Sequence, residues 1–373
     1  MIDLKSLTLR EIRLTLKEPF VAAGGVQEHR RILLLEMRSR DGHTAWSECV
    51  AQERPGYSLE TIDTAWTALR DDLAPVLLGA AADGQHVPAV LDAHVRGHPM
   101  ATAALEMACW ALEAERQNAS LACLLGGTQA RVPVGVALGM ESDPSTLVEK
   151  VRRCVGEGYR KIKLKIAPGA DRRFVAAVRE AVGPDIPLAV DANGTYSRAD
   201  LDVLRSLDAF GLIMLEQPLH RDDMAGHAAL QRELVTPICL DESVTTSRDI
   251  EAMIRWGSGR IVNVKPGRVG GLARAMNMHD LCRESGLAAW VGGMLETGIG
   301  RAFNVALASL PNFSLPGDLS PSSRYWERDI VEPEWTMSTD GFVDVPFDRP
   351  GLGVEIDRDR IENLTRRADH IAS

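Results

Sequence analysis

The sequence predicts an α/β protein: a modified (β/α)8, TIM-like barrel preceded by an N-terminal α+β capping domain. Three observations predict it. From Val132 onward, eight short apolar runs recur, each followed by a polar turn and a stretch of helical period. Fully apolar short strands alternating with helices imply a parallel sheet covered on its outside, and eight of them imply closure into a barrel. Charged residues stand at the carboxyl ends of successive runs, spaced 26, 25, 25 and 24 residues apart from Lys165 to Lys265, close to the roughly 30 residues one barrel unit takes. Before Val132 the texture differs, because polar and apolar residues alternate as in a half-buried sheet.

In chain order, the alternation begins at Leu7, Leu9, Ile12, Leu14 and Leu16 and continues through ILLLEMRSR and TAWSECV, joined by Asp41-Gly42, a strong hairpin signal. This is an antiparallel sheet. Helical-period segments follow from Thr61 to Leu125 with a break near Gly97-His98-Pro99, so the capping domain is expected over residues 1–127. The barrel is expected over 128–320, its runs being VPVGVAL, KIKLKI, IPLAVD, GLIMLE, PICLDE, RIVNVK, LAAWVGG and a short FSLPGD. Residues 321–373 carry SSRYW and scattered Pro and Gly without a ninth unit, and are expected to return to the capping domain.

Composition narrows the function. The 373 residues are 45% hydrophobic and 25% charged, the mix of a globular protein with a large core and not of a disordered or fibrous chain. The net charge of −10, without a local basic patch, argues against a nucleic-acid partner. No run approaches the roughly 18 apolar residues of a membrane span, and the start MIDLKSLTLREIRL lacks a signal-peptide layout. The expected location is therefore the cytoplasm. Six cysteines without a C-x-x-C pair suggest neither disulfides nor a zinc knuckle and read as buried thiols.

The chemistry lies in the charges in register: Lys163, Lys165, Asp191, Glu216, Asp241 and Lys265, with Glu296 just after the seventh run. They should ring one mouth of the barrel, where active sites of this architecture lie. A single acid at a strand end is ordinarily a helix cap or a surface charge. Three on neighbouring strands converge, and cannot all stay ionised without a cation between them. All-oxygen ligands favour Mg2+ (or Mn2+) over zinc. In KIKLKI, period-two geometry puts Lys161, Lys163 and Lys165 on one face, pointing into the barrel, with Ile162, Leu164 and Ile166 toward the helices. Lys265 ends the sixth run, across the barrel from the second. Nearby cations would lower a lysine pKa and make it a base for a proton next to a carboxylate, with an enediolate stabilised by the metal. Two opposed lysines could invert a stereocentre, and with a leaving group on the β carbon the same intermediate would eliminate water.

Six segments carry a family resemblance. KIKLKI, AVDANGTY, LEQPL, CLDES, NVKPGRVGG and GGMLETGIGRA, in this order and spacing, resemble the muconate-lactonizing subgroup of the enolase superfamily, whose sites pair a Lys or His base with Mg2+. The run GGMLETGIGRAFNVALASLPNFSLPGDLSPSSRYW is similar to the N-succinylamino acid (N-acylamino acid) racemase and o-succinylbenzoate synthase family. The resemblance implies Asp191, Glu216 and Asp241 as Mg2+ ligands, Lys165 and Lys265 as the acid/base pair, and Lys163, Asn193, Arg268, Gly293 and Met294 as substrate contacts. It also implies a small carboxylate substrate and a homo-oligomer.

Departures bear on the substrate. WVGGMLE has no His at the seventh strand, unlike the mandelate racemase branch, and Asp318 stands alone where dipeptide epimerases carry Asp-x-Asp. Ala22, Ala23 and Ala137 replace hydroxyl residues common in relatives. Loops Pro19–His29 and Gln52–Tyr57 would close over the mouth and set specificity. The expected reaction is racemisation of N-acyl, above all N-succinyl, amino acids, with o-succinylbenzoate synthesis in the same site; the alternatives are a dedicated synthase acting by syn dehydration or a cycloisomerase. Mg2+-dependent phosphoryl transfer is disfavoured by the opposed lysines and by GRVGG matching no phosphate loop. A non-catalytic barrel is disfavoured by the complete set of charges.

Overall fold

In a computed structural model, residues 2–22, 25–80 and 83–372 are described. The alternating N-terminal segment forms β1 (Leu4–Ala22), β2 (Gly25–Ser39) and β3 (Thr44–Cys49), with the Asp41-Gly42 turn between β2 and β3. Beyond the sheet proper, β1 and β2 run on as a long hairpin arm in which Phe20 pairs with Gln27 and Val21 with Val26. Its tip, Ala23 and Gly24, lies outside the described residues. The helix Pro99–Arg116 begins with Pro in its first turn, the position where a missing N–H costs nothing, and is buried along nearly all its length. It packs against β2 and β3.

The barrel follows as β4 (Arg131–Pro133), β5 (Gly135–Leu138), β6 (Lys161–Lys165), β7 (Leu188–Asp191), β8 (Met214–Glu216), β9 (Ile238–Leu240), β10 (Ile261–Val264) and β11 (Ala288–Val291). Among the described residues, β5 to β11 form one sheet of seven parallel strands in sequence order. The eighth run, expected as a strand, is irregular. FSLPGD still bridges the two edges: Phe313 pairs with Ala289, the Asp318 N–H donates to Val291 O (3.0 Å), and Gly135 N–H donates to Gly317 O (2.7 Å). Pro316 has no N–H to give a ladder, so the segment closes the barrel without becoming a regular strand.

Three short strands, β12 (Val331–Glu332), β13 (Phe342–Asp344) and β14 (Glu355–Ile356), lie beside the barrel, with β13 pairing with β4. β15 (Thr365–Ala372) joins the capping sheet, antiparallel to β1, giving the order β15-β1-β2-β3, and the Lys17 N–H of β1 donates to Tyr325 O (2.9 Å). The cysteines need one correction: five are buried, but Cys123 is exposed, because the four-residue helix Leu121–Leu124 turns it outward. Among the described residues no helix is long and apolar enough to cross a membrane.

Candidate active site

The parallel register aligns the charges. Lys165 is level with Asp191, and Asp191 with Glu216, across β6, β7 and β8; Asp241 follows β9 and Lys265 follows β10. All sit at the carboxyl ends of their strands. Asp191, Glu216 and Asp241 are buried, and Lys161, Lys163 and Lys265 with them. The three lysines of β6 point inward while Ile162 and Leu164 pack in the apolar core.

Each carboxylate is held by a cation of the chain. Lys165 Nζ donates to Asp191 Oδ2 and to Asn193 Oδ1, both at 2.6 Å. Lys163 Nζ donates to Glu216 Oε2 (2.9 Å), and the other oxygen of Glu216 accepts from Asn263 Nδ2 (2.7 Å). Lys265 Nζ donates to Asp241 Oδ2 (2.8 Å), while Arg268 pairs with Asp241 Oδ1. Burial alone would push the Asp191 carboxyl up, but Lys165 and Lys163 outweigh it and hold it at about 2. For Lys265, burial pulls down while Tyr57 and Glu216 push up, and the net direction is upward. This corrects the expectation of a lowered lysine: its nearest neighbours are acidic groups as well as other cations.

Among the described residues, no three His, Cys, Asp or Glu side chains stand close enough together to hold an ion as they are. In donor chemistry the residues fit a hard divalent cation nonetheless. Asp191, Glu216 and Asp241 offer only oxygens, on three consecutive strands, at one end of the barrel.

The substrate contacts implied by the resemblance fall around this ring. Asn193, at φ 44°, accepts from Lys165 and donates Nδ2 to Glu242 Oε1 (2.9 Å). Arg268 is buried behind Asp241. Gly293 lies so close to the backbone of Asp318 that a Cβ there would come within 2.7 Å of its carbonyl oxygen. The Met294 N–H donates to Glu296 Oε1 (2.8 Å), which fixes the loop after β11. Ala137 is level with Lys163 across β5 and β6. The hairpin arm lies against the loop after β5, with the Met140 N–H donating to Val21 O (2.9 Å).

Four further side chains belong to the site. Tyr57 of the capping domain donates its hydroxyl to Asp241 Oδ1 (2.9 Å) and accepts from Lys265 (3.1 Å) and Arg268 (2.9 Å). Gln217, just after Glu216, accepts from the backbone N–H groups of Asp241 and Ser243 (3.0 and 3.1 Å), which sets the spacing between two of the carboxylates. Trp290 on β11 lies under Lys161 and Lys163, its ring centroid 3.5 and 4.7 Å from their Nζ atoms. Asp318 pairs with both of these lysines. Gln217 and Asp318 stand in quoted motifs, strand alternation could have turned Trp290 inward, and the loop Gln52–Tyr57 is expected over the mouth, but nothing in the sequence pairs the Tyr57 hydroxyl with Asp241, Lys265 and Arg268.

Residues 5–126 match the model of the mandelate racemase / muconate lactonizing enzyme N-terminal domain, and 146–360 that of the enolase C-terminal domain-like family. An o-succinylbenzoate synthase of Geobacillus stearothermophilus is 45% identical over 98% of this chain and 97% of its own. An N-succinylamino acid racemase of an Amycolatopsis species is 45% identical over 95% of each. The crystal structure of an enolase-superfamily member from Listeria innocua superposes over the whole of both chains with a TM-score of 0.95 at 35% identity. The chain is therefore an enzyme of the mandelate racemase / muconate lactonizing enzyme family, within the enolase superfamily.

Proposed function

We propose that the enzyme removes the proton α to the carboxylate of a small substrate and returns it from the opposite face, racemising N-acyl, above all N-succinyl, amino acids. The observation that carries this reading is the placement of Lys165 on the second barrel strand and Lys265 after the sixth, with Asp191, Glu216 and Asp241 on the strands between. In an eight-membered ring, positions two and six are opposite. A substrate lying across the mouth thus has an amine on each face of its α carbon.

In one direction Lys165, as the free amine, takes the α proton while the Lys265 ammonium delivers its own to the other face; in the reverse direction the roles exchange. Lys163, buried beside Glu216, supplies the positive charge for the substrate carboxylate. Asn193 orients Lys165 through its amide oxygen, and Tyr57 with Asp241 holds Lys265. Asp191, Glu216 and Asp241 would hold Mg2+ (or Mn2+), which when bound would supply a Lewis acid toward the charge that develops next to the α carbon.

A second reaction in the same site has its own support, since relatives equally similar to this chain, at 45% identity, carry the names o-succinylbenzoate synthase and N-succinylamino acid racemase. A syn dehydration needs only one lysine: the ammonium formed on taking the α proton stands on the same face as the leaving hydroxyl and can protonate it to water.

The test is incubation with Mg2+ in D2O with N-succinyl-L- and N-succinyl-D-amino acids, following α-proton exchange and optical rotation. Exchange and inversion are expected for the wild type, and loss of inversion for Lys165→Ala and for Lys265→Ala. No exchange with any N-acyl substrate, together with turnover of the o-succinylbenzoate precursor, would replace the racemase by a dedicated synthase.

A further inference from the structure

Lys161 is a fourth lysine inside the barrel, beside Lys163, Lys165 and Lys265, and the proposed chemistry leaves it without a task. Its side chain is wholly buried, its Nζ lies on the Trp290 ring, and its nearest anion is Asp318 Oδ1 at 3.2 Å, without hydrogen-bond geometry. A Cβ on Gly135 would meet Lys161 Cε at 2.5 Å, so the first residue of β5 is small where this side chain passes. A lone buried ammonium is costly, and Asp318 is what balances it.

The other oxygen of Asp318 holds Lys163 at 2.7 Å, closer than Lys163 stands to Glu216 (2.9 Å) or to Asp191 (3.4 Å). Asp318 itself is anchored by its backbone: its N–H donates to Val291 O (3.0 Å) and its carbonyl accepts from Arg301 Nη1 (2.8 Å). Burial pushes its carboxyl up, but Lys161 and Lys163 prevail and hold it well below the usual carboxylate range. Lys163 therefore has three carboxylates in reach, and two of them are the ones read above as cation ligands. An ammonium on Glu216 competes with a divalent ion for the same oxygens.

We propose that Asp318 is a positioning residue that shares Lys163 with Glu216 and Asp191 and takes the ammonium over when a divalent cation claims those two carboxylates, while Lys161, stacked on Trp290, is the counter-charge that keeps Asp318 in place. This rests on the reading of Asp191, Glu216 and Asp241 as ligands. The experiment is Mn2+ binding without substrate, followed by the electron paramagnetic resonance of free Mn2+. Wild type is expected to bind, Glu216→Gln to bind more weakly, and Asp318→Asn to bind about tenfold more weakly or worse, the size of a lost hydrogen bond between charged groups.

Two double variants separate positioning from the general field and remain informative if Asp318→Asn alone fails to fold. Asp318→Asn with Lys163→Met removes the competing ammonium and should recover most of the affinity. Asp318→Asn with Lys161→Met restores the same net charge but leaves Lys163 no carboxylate other than Glu216 and Asp191, and should stay weak. Equal affinity in Asp318→Asn and wild type, or equal recovery in the two doubles, would overturn the role of Asp318. A wild type without Mn2+ affinity, or Glu216→Gln binding as wild type does, would instead overturn the ligand reading beneath it.

Discussion

Tyr57 meets Asp241, Lys265 and Arg268 through a single hydroxyl, donating once and accepting twice. Replacing it by Phe keeps the ring under Lys265, whose Nζ lies 4.5 Å from the centroid, and removes only the hydrogen bonds. Hydrogen bonds to charged groups are worth about 1.5–3 kcal/mol. Tyr57→Phe should therefore lower kcat for α-proton exchange by about 10-fold to 100-fold with the melting temperature little changed, which kinetics and calorimetry on one preparation would check. At this scale legibility follows separation along the chain. The lysine face of KIKLKI is visible because strand alternation is local, and the carboxylates are visible because barrel units repeat. The further partners of Lys163 and Lys265 are not: Asp318 arrives from the closing segment, and Tyr57 from a capping loop expected over the mouth but with no periodicity to link its hydroxyl to the residue it serves.

Behind β8 and β9, the helix Met224–Glu233 holds the loop that follows Glu216. His227, fully buried, donates Nδ1 to Asp223 O (2.9 Å) and accepts the Leu219 N–H on Nε2 (3.2 Å). Only the neutral ring can do both, and burial lowers its pKa to about 4. The unfolded imidazole protonates near about 6.5. The unfolded chain thus binds more protons between these values, so stability is full above the unfolded pKa and declines as pH falls toward the folded one, by up to about 3 kcal/mol. Urea unfolding from pH 7 down to pH 4 should show this slope, and His227→Gln should flatten it; an unchanged slope would remove His227 as its source. The sequence marks the loop by LEQPL but is silent on His227, since a histidine on a helix reads the same whether it faces water or the core.

Two buried glutamates of the N-terminal part join it to the barrel. Glu106, from the helix Pro99–Arg116, accepts the N–H groups of Leu272 (2.8 Å) and Ala273 (2.7 Å) at the start of the helix Leu272–Glu284, and Trp110 Nε1 (2.9 Å). Glu48, at the end of β3, accepts the Thr297 N–H (3.0 Å) and hydroxyl (2.6 Å) and the Gly300 N–H (3.2 Å) at the start of the helix Gly298–Ala308. The first turn of a helix leaves N–H groups without intrahelical partners, and a carboxylate satisfies them with favourable dipole electrostatics. Glu106→Ala leaves those N–H groups buried and unpaired, so a loss of about 2–4 kcal/mol is expected, read from urea midpoints. Because the same contact seats the domain that carries Tyr57, exchange activity should fall further than in Tyr57→Phe alone.

What the sequence by itself determined is whatever repeats or alternates: the antiparallel start, the βα units, the lysine face, and the ring of charges that their common spacing brings to one mouth. It overstated the eighth strand, where Pro316 removes the donor a ladder requires, and it misjudged the exposed Cys123 and the direction in which the Lys265 amine is shifted. The tertiary structure alone decided the contacts that close the ring. Lys161 and Lys163 share Asp318 above Trp290, Tyr57 enters from the capping domain, Gln217 spaces Glu216 from Asp241, and Glu48 and Glu106 fasten helices far along the chain. The physical reason is one of range. Backbone geometry ties neighbours in sequence to a face and a period, whereas buried charges must find opposite charges or hydrogen-bond donors wherever the completed fold brings them.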